Sequence, residues 1–157
     1  MSAQPAPAVG EVLVIGDTGC GKSLLISKIC VPQDSRVVLR EIPGSKRSAW
    51  QSYLALTSLR GVVFVGDISV PARLPQLAVD VWAMLHSTAK LPILLVLNKL
   101  DKPNVLTGDA ICRILRLPEL DEDAESKARL SVVRTSALTN VSIEFCSTWL
   151  ARISASQ

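Results

Sequence analysis

The chain has 157 residues, of which 48% are apolar and 20% are charged. This composition excludes an intrinsically disordered protein, and the length suits one domain with a single core. The net charge is only +3 and the basic residues are scattered, which argues against a nucleic-acid partner.

The apolar pattern along the chain predicts alternating strands and helices. Residues 1–10, rich in Pro and Ala, are predicted to be a flexible tail, and residues 11–157 to form one domain. In chain order we expect strand Glu11–Ile15, a helix from Lys22 to about Cys30, strand Arg36–Glu41, a helix near Ala49–Leu59, strand Val62–Asp67, a helix near Leu74–Ser87, strand Pro92–Asn98, a helix near Gly108–Leu115, strand Leu130–Thr135 and a helix from about Asn140 to Ile153. Five such strand–helix units predict an α/β fold whose doubly wound parallel sheet is covered on both faces. The acidic stretch Leu120–Glu125 is predicted to be a solvated loop or helix end.

A glycine-rich segment, Gly16–Ser23, directly follows the first predicted strand and fits the pattern G-x-x-x-x-G-K-[ST]. Its glycines let backbone N–H groups surround a β-phosphate, and the following helix directs its positive end at the same anion. Lys22 would contact the β- and γ-phosphates, and the Ser23 hydroxyl would ligate Mg²⁺. We therefore predict a phosphate site made of Asp17, Thr18, Gly19, Cys20, Gly21, Lys22 and Ser23, in which Cys20 contributes its backbone N–H.

A second motif, Asn98-Lys99-Leu100-Asp101, ends the fourth predicted strand, where ligands of open α/β sheets bind. The Asp101 carboxylate can accept hydrogen bonds from the ring N–H and the exocyclic amine of guanine, and adenine lacks this donor pair. The Lys99 stem can lie against the purine, and Asn98 can connect the base loop to the phosphate loop. The motif predicts a guanine nucleotide and argues against the alternative of an ATP-using P-loop kinase.

Together with Thr135-Ser136-Ala137-Leu138, these motifs resemble, in their order, the small GTPases of the Ras superfamily. Three further segments resemble the Arf-like branch: Asn98–Pro103 its N-K-Q-D-L-P motif, Arg116–Leu120 its L-P-E-L segment and Ser147–Leu150 its tryptophan-leucine ending. There is also some likeness to the signal-recognition-particle receptor β subunit, in the altered second switch described below.

The resemblance implies a P-loop NTPase of small-GTPase topology that binds GTP or GDP with Mg²⁺. It also implies guanine contacts from Ser136, Ala137 and Leu138, and it suggests a role in membrane traffic or at a cilium. Ser2 replaces the glycine needed for N-myristoylation, and Ser154–Gln157 contains no prenylatable cysteine. We therefore expect a cytoplasmic protein with no direct lipid anchor, which reaches a membrane or cilium only through a partner.

The segment after the second predicted strand departs from the family pattern. The family has D-x-x-G followed by a glutamine that orients the attacking water, whereas this chain has Glu41-Ile42-Pro43-Gly44-Ser45. Glu41 is predicted to reach the Mg²⁺ shell with its longer side chain, and Gly44 to offer its N–H to the γ-phosphate. Ser45 stands at the glutamine position with a side chain too short for the same task. No catalytic residue is therefore assigned, and slow hydrolysis is expected.

The interval between the first helix and the second strand is too short for the family's first switch. Only Val31–Ser35 lie between them, a normal length for a direct helix–strand loop. The resemblance would place a Mg²⁺-binding threonine and an antiparallel strand in this interval. The predicted topology therefore lacks the antiparallel second strand, and strand Arg36–Glu41 is left as an open edge that invites a protein partner or a second copy.

These features together predict an Arf-like GTP-binding protein with weak or no intrinsic hydrolysis that acts as an assembly or docking subunit. One alternative is an active GTPase switch that a partner completes in trans. A pseudo-GTPase with an empty site is a further alternative, and the intact Gly16–Ser23 loop argues against it.

Overall fold

The computed structural model describes residues 9–56, 58–87 and 90–156. Its five strands form one sheet in the order β2-β1-β3-β4-β5, and all neighbouring strands are parallel. The strands are β1 (Gly10–Ile15), β2 (Val37–Glu41), β3 (Leu59–Asp67), β4 (Ile93–Asn98) and β5 (Leu130–Arg134). The helices are α1 (Lys22–Lys28), α2 (Trp50–Leu54), α3 (Leu74–Leu85), α4 (Gly108–Ile114), α5 (Ala124–Arg129) and α6 (Ile143–Ala155), with 3₁₀ turns at Gly44–Ala49, Pro71–Arg73 and Leu117–Glu122. The predicted α/β class and the all-parallel sheet are confirmed.

Helices cover both faces of the sheet because the central strands are apolar on both sides. All residues of β4 are buried, and β3 is buried along most of its length. One core cluster joins a sheet face to α2, α3 and α4, and the other joins the opposite face to α1 and α6. Such continuous apolar runs are typical of parallel strands that lie between two helical layers.

Several predicted boundaries differ from the structure. Among its described residues, the helix predicted near Ala49–Leu59 is an α-helix only over Trp50–Leu54, because β3 begins at Leu59 and pairs there with Glu11. The last helix begins at Ile143, since Asn140 and Ser142 both have positive φ angles that interrupt a helix.

The acidic stretch predicted as a loop or helix end contributes to two elements. The 3₁₀ turn Leu117–Glu122 ends there, and α5 follows with Asp123 as its N-cap. The Asp123 carboxylate accepts a hydrogen bond from the Ser126 backbone N–H at 3.2 Å, as an N-cap side chain does.

The first strand begins one residue earlier than the predicted domain limit at residue 11. Residues 1–8 of the predicted tail lie outside the described residues, and Gly10 belongs to β1. Among the described helices, none has the length and apolar character needed to cross a membrane.

The loop Ile29–Arg36 joins α1 directly to β2 and contains no strand. Across the described ranges, β2 pairs only with β1, and its other side is an open edge. The small-GTPase topology without an antiparallel second strand is therefore what the structure shows.

Candidate nucleotide-binding site

The predicted phosphate loop borders a cavity of about 590 Å³ at the carboxyl ends of β1 and β2. Its walls come from the loop and the first turn of α1, from the segment after β2 and from Lys99; the lining residues are Thr18, Gly19, Gly21, Lys22, Ser23, Leu24, Glu41, Pro43, Gly44, Ser45 and Lys99. A second cavity of about 200 Å³ is lined by Gly21, Leu24, Asn98, Lys99, Asp101, Lys102, Ala137 and Leu138. The two cavities share Gly21, Leu24 and Lys99, so they adjoin as one groove.

Lys22 is held beneath the loop by the loop's own carbonyl groups. Its Nζ donates hydrogen bonds to the carbonyl oxygens of Gly16 and Asp17, both at 2.9 Å. The residue is only 6% exposed, yet it lines the larger cavity. An ammonium group fixed in this way is a point charge at the wall of the groove, where it would attract an anion.

Asn98 connects the phosphate loop to the base loops, as the sequence predicts. Its Nδ2 donates to the Cys20 carbonyl at 3.0 Å, while its Oδ1 accepts from the Thr135 hydroxyl and the Ala137 N–H, each at 3.1 Å. Gly21 allows this close approach, because its φ is 96° and a Cβ there would lie 2.4 Å from Asn98 Nδ2. Asn98 therefore sets the spacing between the two cavities.

Lys99 lies across the boundary of the two cavities. Its Nζ donates to the Gly19 carbonyl at 2.5 Å and forms an ion pair with Asp67 Oδ2 at 2.9 Å. Burial would raise the pKa of Asp67, but hydrogen bonds from Ser69 and Lys99 outweigh it and hold that pKa below its usual value. The aliphatic stem of Lys99 is thereby stretched over the groove.

Asp101 lines the smaller cavity, and Ser136 orients it. The Ser136 hydroxyl donates to Asp101 Oδ1 at 2.6 Å and accepts from the Thr139 N–H at 3.1 Å. The hydrogen bond from Ser136 lowers the pKa of Asp101, so the carboxylate is ionised at neutral pH. An ionised carboxylate beside Ala137 and Leu138 is an acceptor for paired N–H donors of a planar base.

Ser23 and Glu41 meet at the other end of the groove. The Ser23 hydroxyl lies 2.8 and 3.0 Å from the two carboxylate oxygens of Glu41. Within the described ranges, no group of three or more His, Cys, Asp or Glu side chains could hold a metal ion. An ion here would combine this hydroxyl and carboxylate with phosphate oxygens and water, a ligand set that suits Mg²⁺. The residues therefore fit the predicted ion.

Gly44 packs directly on the phosphate loop. A Cβ at this position would lie 2.2 Å from the Thr18 backbone nitrogen, so only glycine allows the approach. Ser45, at the family's glutamine position, also lines the larger cavity. The segment after β2 thus forms the wall where a terminal phosphate would lie.

Three predicted residues serve the site without lining its cavities. Asp17 directs its carboxylate at Arg47, and Ser136 acts on Asp101. Cys20 is buried beneath the loop, and burial raises the pKa of its thiol despite the nearby Lys22. The thiol is therefore protonated at neutral pH, in keeping with a role for the Cys20 backbone rather than its side chain.

Sequence reasoning missed other residues that line or support the groove. Leu24 and Lys102 line it, and each adjoins a recognised motif residue in the chain. Asp67 ends a predicted strand at the ligand-binding edge and supports Lys99. Thr135 belongs to the recognised segment Thr135–Leu138, but its support of Asn98 was not expected from the sequence.

Comparisons with known proteins identify the family of this chain. A sequence profile of the ADP-ribosylation factor family matches residues 41–154. Human ADP-ribosylation factor-like protein 16 is 23% identical over 170 aligned positions, which cover 90% of this chain and 84% of that protein. The Arl6 BBS3 small GTPase from Trypanosoma brucei, solved with the nucleotide analogue GppNp, superposes with a TM-score of 0.73 at 20% identity and covers 94% of this chain and 98% of that one.

The match to the family profile spans most of the chain, and the fold and motif order agree with it. The chain belongs to the ADP-ribosylation factor family and is an Arf-like small GTPase of the Ras superfamily.

Proposed function

We propose that this protein binds GTP or GDP in the groove, hydrolyses GTP slowly without help and acts as a docking subunit. The observation that carries nucleotide binding is the junction of the two cavities at Gly21 and Lys99. This junction puts Asp101 at the base end of the groove and Lys22 and Ser23 at its phosphate end. One guanine nucleotide can then satisfy both ends.

Ser23 and Glu41 would hold the Mg²⁺ that accompanies the nucleotide. When bound, the ion would neutralise charge on the phosphate oxygens and on the GDP leaving group. The contact between Glu41 and the Ser23 hydroxyl supports this proposal, since it brings two oxygen donors together at this end of the groove. Lys22 adds positive charge on the β- and γ-phosphate side of the groove.

Slow hydrolysis is proposed from the residues that face the terminal phosphate. Gly44 can donate its N–H there, but Ser45 replaces the side chain that orients the attacking water. The described loop Ile29–Arg36 is too short to bring a second cover over this end of the groove. GTP would therefore persist once bound.

We expect Ser45→Gln to raise the single-turnover rate of GTP hydrolysis about tenfold, because one well-placed hydrogen bond to water supplies about 1.4 kcal/mol. The rate is measured on protein loaded with radiolabelled GTP, with and without Mg²⁺. Ser48→Gln, an exposed serine in the same 3₁₀ turn, is the matched control and should leave the rate unchanged. Rapid hydrolysis by the wild-type protein would contradict the proposal.

Docking is proposed at the open edge of β2. The Arg36 carbonyl accepts from the Gly10 N–H at 2.7 Å, and the Ile42 N–H donates to the Val14 carbonyl at 3.0 Å. Even-numbered residues of this strand therefore face β1, and Val37, Leu39 and Glu41 direct their backbone groups outward. An incoming strand could pair with these groups, since an exposed edge is a template for another chain.

A photo-reactive residue at Val38 is expected to cross-link a protein partner or a second copy in cells, and the product is identified by mass spectrometry. The same residue at Val79 on α3 is the control, because Val38 and Val79 are 53% and 62% exposed. Leu39→Pro should abolish the cross-link by removing an outward N–H, whereas Leu39→Ala should retain it. Equal labelling at Val38 and Val79 would contradict edge docking.

The second candidate function is a GTPase switch that a partner completes in trans. It is favoured by Glu41, Gly44 and Lys22, which already line the phosphate end and would need only an added cover. A partner bound at the edge is also the route we propose for recruitment of a cytoplasmic protein to a membrane or cilium. The partner that cross-linking identifies is purified separately and added to the hydrolysis assay. Faster GTP hydrolysis in its presence would favour this switch over a passive docking subunit.

A further inference from the structure

Arg47 joins three elements that are distant in the chain. Its Nη1 lies 3.0 Å from Asp17 Oδ1 in the phosphate loop, and its Nη2 donates to both carboxylate oxygens of Asp80 on α3. Its guanidinium also lies 5.4 Å from the centre of the Trp50 ring. Arg47 follows the altered second-switch segment in the chain, and its guanidinium is engaged by carboxylates of the same chain.

The contacts of Arg47 are partly shielded from solvent. The Asp80 side chain is only 15% exposed and also accepts a hydrogen bond from Gln76 Nε2 at 3.1 Å. Burial raises the pKa of Asp80, although Gln76 and Arg47 act in the opposite direction. A guanidinium that joins two carboxylates in partial burial is a stronger constraint than a single exposed ion pair.

The constraint acts on the segment that carries Gly44. Arg47 lies three residues after Gly44 in the 3₁₀ segment Gly44–Ala49, which is kinked at Lys46, and Trp50 directly after this segment is buried edge-on against Phe64. Gly44 is thereby anchored on its C-terminal side by the ion pairs and by the core. This anchoring keeps Gly44 close to the Thr18 backbone nitrogen of the phosphate loop.

We propose that Arg47 is a positioning residue that holds Gly44 at the terminal-phosphate end of the groove and so determines the preference for GTP over GDP. Arg47, Asp17 and Asp80 form a clamp that fixes the segment carrying Gly44. In this family the first switch would otherwise help to order the terminal-phosphate end of the groove, and this chain has no room for it. This inference rests on the proposed guanine-nucleotide binding. Arg47 itself lines neither cavity and acts only through Gly44.

The test compares the dissociation rates of fluorescent GDP and of a fluorescent, non-hydrolysable GTP analogue. In Arg47→Ala, the analogue is expected to dissociate about tenfold faster, with GDP changed less than twofold, because Gly44 faces only the terminal phosphate. Arg47→Lys should rescue little, since one ammonium group cannot bond both carboxylates as the guanidinium does. Lys46→Ala removes the neighbouring exposed cation, for which no ion pair is seen in the described residues, and should match the wild type.

Amide hydrogen exchange over Gly44–Ala49 provides a readout that does not require a nucleotide. Exchange should become faster in Arg47→Ala and in Asp80→Asn, and the double variant should be no faster than Arg47→Ala alone. If the wild type fails to bind guanine nucleotides, the proposed function is wrong, and the clamp cannot determine a preference for GTP over GDP. If binding is intact and both dissociation rates change equally, or neither changes, the clamp proposal alone is overturned.

Discussion

Replacement of Asp101 by Asn is expected to lower the affinity for GTP about 100- to 1,000-fold. The carboxylate can accept from two guanine N–H groups, and the amide of Asn turns one acceptor into a donor that faces a donor. A site built to bond particular polar groups discriminates by such factors when one is left unpaired. The same variant should gain affinity for xanthosine triphosphate, whose ring carries an oxygen where guanine carries the amine.

Equilibrium titration with fluorescent GTP and with xanthosine and adenosine analogues measures this change. Asp109→Asn is the matched control, since Asp109 is exposed on α4 and lines neither cavity. Ser136→Ala should give a smaller loss than Asp101→Asn, because the carboxylate stays in place and loses only the hydrogen bond that orients it; the variant also loses the hydrogen bond from the Thr139 N–H. Tighter binding of ATP than of GTP by the wild type would contradict the assignment of guanine.

Replacement of Asn98 by Ala is expected to lower the free energy of unfolding by about 3–5 kcal/mol. The change leaves the Cys20 carbonyl, the Thr135 hydroxyl and the Ala137 N–H without their common partner, and each buried unpaired group costs about 1–3 kcal/mol. The melting temperature should fall by about 10 °C. Nucleotide affinity should fall too, because the two loops lose their connection.

Chemical denaturation and calorimetry measure the stability change. Gln33→Ala removes a surface amide from the α1–β2 loop and is the control, with an expected change below about 0.5 kcal/mol. Asn98→Asp should retain the two bonds to the side-chain oxygen and lose only the one donated to Cys20. A loss in Asn98→Ala no larger than in the Gln33 control would show that this network does not hold the loops.

The phosphate and base motifs could be predicted because their chemistry is local. The spacing from Gly16 to Ser23 lies within one strand–turn–helix unit, and Asn98 to Asp101 lie at one strand end. The strands of the sheet could be predicted for a similar reason, since a strand buried on both faces must be a continuous apolar run. The open β2 edge could be predicted from the length of the interval Val31–Ser35, which is too short to hold a further strand between the first helix and β2.

Helix ends and 3₁₀ turns could be predicted less well because weak local preferences compete with tertiary contacts. Nothing in Trp50–Leu59 marks where the helix stops, and pairing of Leu59 with β1 decides it. The start of α6 depends on the bridge between Ser136 and Val141, which bends the chain before Ile143. Such boundaries follow from the assembled sheet rather than from the residues on either side.

The sequence by itself determined the fold class, the order of the nucleotide motifs and the loss of the antiparallel strand, because spacing and apolar period are properties of neighbouring residues. Only the tertiary structure decided which distant side chains meet. Asn98 reaches Cys20, Lys99 reaches Asp67 and Arg47 reaches Asp17 because parallel strands bring their carboxyl ends to one edge of the sheet. Arg47 reaches Asp80 because α3 lies beside the segment that follows β2. Contacts between single side chains across that edge depend on how the strands and helices pack, and the spacing of neighbouring residues in the sequence does not contain this information.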